Sequence, residues 1–343
     1  MKGFRNKDGS FFVGHAGSTS LWVTAFILRN LCEARKWITV DEAVLKAGLL
    51  YLMNSQQRNG GFQDPTGVGT WSMVGGVTGP LELSAYTVLT IAECISGGVQ
   101  VQTPDRFWPR SSAYLERYLA SATGYSLAIG AYALSISNST SKAEVLRRLK
   151  NAVIHRAGAS LSSTAENVMY VQGRTNKLIN EATAYALLAF INEGEDPSYF
   201  TGFARRLNKH LRPSVTLEGT QETAVGLQAL ARYYAYTMGN NVDLTIDITS
   251  GDFKDRISVQ QANRHILQTV EVRNPGSAVE LNVRGVGTAV ANITYTFNKD
   301  EDKECQVEIK TRFREWRESI QSAWGKGGRS GLRWRPYQTE VCM

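Results

Sequence analysis

One short pattern recurs along the first 240 residues and narrows the possible fold more than any other feature. A small polar residue is followed by Ala or Gly, then by an apolar run at helical spacing. The copies are Thr24-Ala25-Phe26-Ile27-Leu28, Ser84-Ala85-Tyr86-Thr87-Val88-Leu89, Ile129-Gly130-Ala131-Tyr132-Ala133-Leu134, Thr183-Ala184-Tyr185-Ala186-Leu187-Leu188 and Thr223-Ala224-Val225-Gly226-Leu227. Successive copies lie roughly 40 to 60 residues apart, the period of a helix-pair repeat.

Between the copies the helical periodicity changes character. The pattern predicts helices over 18–37, 41–57, 80–95, 111–120, 125–136, 142–155, 180–192, 200–211 and 221–237. Those at 80–95, 125–136 and 180–192 are apolar on nearly every side. Those at 142–155 and 200–211 carry one apolar stripe, for example Leu146, Leu149 and Val153 opposite Arg147, Arg148 and Lys150. A helix that is apolar all round must be buried, and a striped one lies at the surface. Alternation of the two kinds is what two concentric layers require, an α/α toroid. An open solenoid of helix pairs is the alternative.

Near residue 241 the period drops from 3.6 to 2. Leu244, Ile246 and Ile248 alternate with polar partners. So do residues 266–272, Val279 to Val283, and Ala289 to Phe297. Asn274-Pro275-Gly276 reads as a turn, and Arg284-Gly285-Val286-Gly287 as a bend. The expected organisation is a helical toroid over 1–240, an antiparallel β module over 241–300, and the start of a further β domain over 301–343.

Composition excludes several classes. An apolar fraction of 43% with 20% charged residues marks a folded chain. No apolar run reaches the ~18 residues of a membrane span. Four cysteines, Cys32, Cys94, Cys305 and Cys342, include no CxxC pair, so no zinc or other metal site is expected. Residues 312–336 hold seven Lys/Arg against Glu315 and Glu318, interleaved with Trp316, Trp324 and Trp334. Basic and aromatic interleaving is the footprint of single-strand binding. No nucleic-acid motif frames it, so the segment reads as solvated surface and nucleic acid is not an expected partner. Asn138 and Asn292 head glycosylation sequons.

Catalytic motifs are sparse. His15, His155, His210 and His265 have no serine elbow or catalytic cysteine beside them. Glu166, Glu181 and Glu222 precede apolar runs and read as helix caps or mouth residues, capping being the default. No catalytic residue and no cofactor is expected.

The run Gln56-Gln57-Arg58-Asn59-Gly60-Gly61-Phe62 looks like the Gln-x-x-x-Gly-Gly-Phe turn of protein prenyltransferases. An isoprenoid-class toroid enzyme is therefore one reading, although that family's Asp–Cys–His zinc set has no match at suitable spacing. A longer series of motifs resembles the thioester domain of the alpha-macroglobulin and complement family. It runs through residues 17–26, Ala34-Arg35-Lys36-Trp37-Ile38, Asp41-Glu42-Ala43-Val44-Leu45, Gly61-Phe62-Gln63, Met73-Val74-Gly75-Gly76, Glu82-Leu83-Ser84-Ala85-Tyr86, Glu181 to Leu188, and Gly219-Thr220-Gln221-Glu222-Thr223. Residues 242–298 are similar to the second half of the family's CUB domain, and residues 304–310 to the start of its receptor-binding domain.

The resemblance implies a secreted, non-enzymatic protein of innate immunity, complement-like or protease-trapping, nearest to insect thioester-containing and macroglobulin complement-related proteins. It implies proteases, microbial or cell surfaces and a cell-surface receptor as partners. A cell-surface adhesion ligand is a further reading. The family's chemistry rests on a Cys-Gly-Glu-Gln thioester run. No cysteine here is followed by Gly-Glu-Gln, so no thioester is expected in this chain. By the family's pattern that run belongs upstream of residue 1. A gap-free count back from Gly75-Gly76 places Thr70 where complement-like members carry the thioester-attacking His. Two disulfides are open, Cys32 with Cys94 and Cys305 with Cys342. For the first pair, two free buried thiols are an equal alternative.

Overall fold

The computed structural model describes residues 4–12, 19–64, 71–156, 166–169, 176–212, 216–237, 241–264, 266–272, 278–287, 289, 291, 293, 308–312 and 338–342. The chain divides into two compact units, Met1–Asn292 and Ile293–Met343.

The first unit is mainly helical. Its helices are α1 (Leu21–Ala34), α2 (Glu42–Asn54), the single turn α3 (Trp71–Val74), α4 (Pro80–Ser96), α5 (Phe107–Leu119), α6 (Gly124–Ile136), α7 (Lys142–Asn151), α8 (Asn176–Asn192), α9 (Pro197–His210) and α10 (Thr220–Thr237). Local chemistry sets their starts. Ser20 accepts from the Val23 amide to cap α1, and Asp41 accepts from the Ala43 amide to cap α2.

The two kinds of helix occupy different places. Helices α1, α4, α6, α8 and α10 pack in succession, each on the next. Helices α2, α5, α7 and α9 pack beside them, each against one or two of that row. The all-apolar sequences explain the inner row: Tyr86, Ile129, Tyr132, Leu187 and Leu188 are fully buried. In striped α7 only Val145, Leu146 and Leu149 are buried. Contacts match at both ends of neighbouring inner helices, such as Glu82 with Ser126 and Glu93 with Tyr132 between α4 and α6. The inner helices therefore run in the same direction.

The turn at Gln56–Phe62 is a structural clamp. The Gln56 carboxamide donates to Gly60 O, Phe107 O and Ser111 Oγ, and the Phe62 amide donates to Ser84 Oγ. These bonds seat α5 against α4.

The structure corrects several expectations. The helix read as 142–155 stops at Asn151, and β1 (Val153–Arg156) follows, paired antiparallel with β2 (Glu166–Met169). The β-branched pair Val153-Ile154 favours a strand there, and Glu166 lies in β2 rather than at a helix start. In the sheet, β3 (Asp243–Ser250) is central, flanked by β4 (Phe253–Gln260) and β5 (Glu280–Val286), all antiparallel. β4 was not expected, because its alternation is masked by Lys254, Asp255 and Arg256. Residues 266–272 are described and form no strand. The Arg284–Gly287 bend is the end of β5. Asn274-Pro275-Gly276 lies outside the described residues, as does most of 289–297; Ala289, Ala291 and Ile293 are in no strand. The second unit is described by β6 (Glu308–Arg312) and β7 (Gln338–Cys342), an antiparallel pair.

Candidate functional site

Polar residues interrupt the inner helices at intervals of seven: Tyr86 and Glu93 on α4, Tyr125 and Tyr132 on α6, Gln221 and Gln228 on α10. On α1, Trp22 and Arg29 have the same spacing. Seven residues are about two turns, or ~10.5 Å of helix. Parallel helices with this spacing stack their polar groups in two layers.

The layer nearer the C-terminal ends is an ion network. Arg29 donates to both Glu93 oxygens at 2.6 and 3.3 Å and to Gln228 Oε1 at 2.6 Å. Gln228 Nε2 donates back to Glu93 at 2.9 Å, Tyr132 donates to Glu93, and Arg232 donates to Tyr132 at 3.0 Å. Helices α1, α4, α6 and α10 all meet on one carboxylate. Burial alone pushes Glu93 up, but the Arg29 guanidinium, helped by Arg232 and Tyr132, outweighs it and leaves the carboxyl below its ordinary range. The Arg29 guanidinium also lies over the rings of Tyr86 and Tyr185, at 5.6 and 5.7 Å. Burial raises Tyr86 to about 12, so its hydroxyl stays protonated. It donates to Gln221, which donates to Tyr185 at 2.8 Å.

The other layer lies at the N-terminal ends of the same helices, where acids serve the exposed amides. Asp64 accepts from Ser20 Oγ at 2.6 Å and from the Trp22 amide at 3.1 Å. Glu82 accepts from Ser126. Glu222, in the first turn of α10, reaches back to the amides of Glu218 and Gly219, both at 3.1 Å, and accepts from Asn180 Nδ2 at 2.9 Å. This is capping, as read from the sequence.

Glu181 behaves differently. It sits within α8, fully buried, and caps nothing on its own helix. Its carboxylate accepts from the Gly76 amide at 3.1 Å and from Tyr125 Oη at 2.5 Å. Gly75 has φ +63°, and a Cβ there would stand 2.2 Å from Glu181 Oε2. A Cβ on Gly76 would stand 2.4 Å from the Tyr125 ring. Both glycines are thus required by the close approach of the turn to these two side chains. Burial, reinforced by nearby Glu222, raises Glu181 to about 7 against the donors from Tyr125 and Gly76.

The remaining sequence-derived positions fall as follows. Cys32 on α1 and Cys94 on α4 form a disulfide with Cα atoms 5.3 Å apart. Asn138 is exposed, with φ +53°, just past α6. Its amide donates to Ser135 O and the Ser139 amide to Leu134 O, a Schellman ending in which Asn takes the usual glycine place. Thr70, Asn292, Cys305, His15 and His265 lie outside the described residues, and Cys342 is in β7. His155 is in β1 and His210 ends α9. The Arg29–Glu93 network was not singled out from the sequence, although the seven-residue recurrence of polar residues was its signal. Among the described residues, no group of three or more His, Cys, Asp or Glu could hold a metal ion, and no helix is long and apolar enough to cross a membrane.

The family model for the A-macroglobulin TED domain matches residues 1–233, which contain α1 to α9 and most of α10. The chain belongs to the alpha-macroglobulin and complement family by virtue of this domain. It is 24% identical over 302 residues to thioester-containing protein 1 allele S3 of Anopheles gambiae, covering 86% of this chain and 21% of that protein. Ovostatin of Gallus gallus is 25% identical over 310 residues, covering 86% and 21%. Complement C3 of Lethenteron camtschaticum is 24% identical over 307 residues, covering 86% and 18%. The chain therefore spans about a fifth of the length of these relatives.

Proposed function

We propose that this chain works as the thioester-domain part of a secreted, complement-like or macroglobulin-type protein, in a non-enzymatic role of innate immunity. The observation that carries this reading is the family match over residues 1–233. The two-layer helical packing supports it: the arrangement is read as an incomplete α/α toroid with its polar axis between α1, α4, α6, α8 and α10. Residues 241–300 are read as part of a CUB-like β module, and 301–343 as the start of a receptor-binding-like β domain. The sheet supports a module with a second layer, because Ile246 lies opposite both Val283 and Ile257, and Ile248 opposite Leu281. Those residues share one apolar face, on which Leu281 and Val283 remain 38% and 54% exposed.

The role proposed for the residues of this chain is binding. No cysteine in the chain is followed by Gly-Glu-Gln. Thr70 stands at the position of the family's thioester-attacking His, and a neutral hydroxyl there does not serve as that nucleophile. Proteases and microbial or cell surfaces are the partners this reading names, with a cell-surface receptor for the C-terminal part. The test is to incubate the purified chain with methylamine, then with a panel of proteases and with microbial cells. The reading expects no mass change with the amine and saturable binding in the second step. Stoichiometric bound zinc would instead favour an isoprenoid-class enzyme. Binding to epithelial surfaces alone would favour an adhesion ligand.

The covalent assignments have their own tests. Asn138, and Asn292 in the β module, are proposed glycan sites. A mass loss on treatment with a peptide N-glycosidase checks them. Cys305 with Cys342 is proposed as a second disulfide, checked by peptide mapping without reduction.

A further inference from the structure

A buried carboxyl that grips another segment's backbone, rather than its own helix, is an unusual use of an acid. Glu181 is 0% exposed and has just two partners among the described atoms, the Gly76 amide and the Tyr125 hydroxyl. The segment it grips, Trp71–Val77, includes the short helix α3 and its Gly75-Gly76 turn. That turn fits so closely on Glu181 and Tyr125 that neither glycine has room for a Cβ.

Among the described residues no cation is in hydrogen-bond or ion-pair contact with the carboxyl. Tyr125 comes from α6 and Tyr185 from α8, their rings 6.0 Å apart edge to face. Tyr86 approaches from α4, and Glu222 from α10 adds negative charge. Lys177, one turn earlier on α8, acts only weakly and from a distance, the smallest of the influences on Glu181. Arg29 from α1 stands over the Tyr86 and Tyr185 rings and is committed to Glu93. Asn180, beside Glu181 in sequence, is buried and donates to Glu222, while its Oδ1 has no hydrogen-bond partner.

We propose that Glu181 is a proton-controlled clasp on the Trp71–Val77 segment. When protonated, its carboxyl still accepts from the Gly76 amide through the carbonyl oxygen, and the segment stays seated. When ionised, with its proton released to solvent, it brings a second buried negative charge beside Glu222. It then draws water to the N-terminal ends of α6, α8 and α10, and the segment is freed. Opening exposes Asn180 Oδ1 to a hydrogen-bond donor it otherwise lacks. The inference concerns the segment itself and does not depend on the role proposed for Thr70.

The sign follows from linkage. The closed state holds its proton up to about pH 7, whereas an exposed carboxyl loses it near the ordinary value of 4.5. Closing is therefore favoured at lower pH, and opening grows as pH rises through 7. Hydrogen exchange of the 343-residue chain, corrected for intrinsic rates, reads this directly at the Val74–Val77 amides. Opening should rise roughly tenfold between pH 6 and pH 8, while the Tyr132–Ser135 amides show no such slope. In Glu181→Gln the slope should vanish. A flat wild-type profile, or the same slope in Glu181→Gln, overturns the proposal. If Glu181→Gln does not fold, Tyr125→Phe decides. Removing that donor should move the midpoint upward, and an unmoved midpoint overturns the clasp.

Discussion

Glu93 and Glu181 are both buried between inner helices of one packed array, yet burial leaves them in opposite states. Glu93 is surrounded by Arg29, Gln228, Tyr132 and Arg232, and its carboxyl is held below the ordinary range. Glu181 has a tyrosine, one backbone amide and a neighbouring acid, and burial raises it to about 7. The same desolvation acts on both. What differs is whether other helices deliver compensating charge. A layer with its own cation is a lock that holds α1, α4, α6 and α10 together, and a layer without one is a place where the structure can respond.

The largest effect is expected at the Arg29–Glu93 lock. Glu93→Ala leaves Arg29 buried without its carboxylate, and should cost about 3–5 kcal/mol of unfolding free energy, measured by denaturant titration. Loss of less than ~1 kcal/mol would show that Arg29 finds other solvation. The Cys32–Cys94 disulfide ties the same two helices, with Cys94 next to Glu93 and a sequence separation of 62 between the partners. Replacing both cysteines by Ser should lower stability by roughly 2–4 kcal/mol. Combined with Glu93→Ala, the losses should not add, since both changes free α1 from α4.

The pH dependence separates the two carboxyls by sign. Glu181 has a raised value, so its favourable contribution is complete below 4.5 and is lost as pH rises to about 7. The full change is on the order of 3 kcal/mol. Glu93 has a lowered value, so its contribution is present above 4.5 and is lost as pH falls through its depressed value. Unfolding curves from pH 3 to pH 8.5 should therefore lose the upper limb in Glu181→Gln and keep the acid limb. The smallest effect is expected at Gly75. Gly75→Ala places a side chain at φ +63° against Glu181, and should cost about 1–3 kcal/mol. It should also release the Val74–Val77 amides in exchange experiments while leaving the Glu93 layer protected.

Much of the fold was legible because it rests on period. Of the inner helices, α4, α6 and α8 announced themselves as apolar on nearly every side, the flanking α7 and α9 by a single stripe, and the change at residue 241 by alternation. β4 was not legible, because Lys254, Asp255 and Arg256 stand on a solvated strand whose partner supplies the pairing. The strand after α7 was hidden in the tail of a helical pattern. At the candidate site, Glu222 was readable as a cap because its partners are its own near neighbours in sequence. Glu181 read as a cap by the same rule, and the rule failed, because its partners lie 56 and 105 residues away.

Periodicity was enough to read a layered helical domain followed by β structure, and the chain carries the family's motifs in order. It also marked α4, α6 and α8 as buried, since an all-apolar surface has nowhere else to go, but not α1 and α10. Which buried acid meets an arginine depends on packing between helices far apart in the chain. Local periodicity places a side chain on a face of its own helix. The charge it finds there comes from helices tens to hundreds of residues distant, and a buried group's protonation depends on that company.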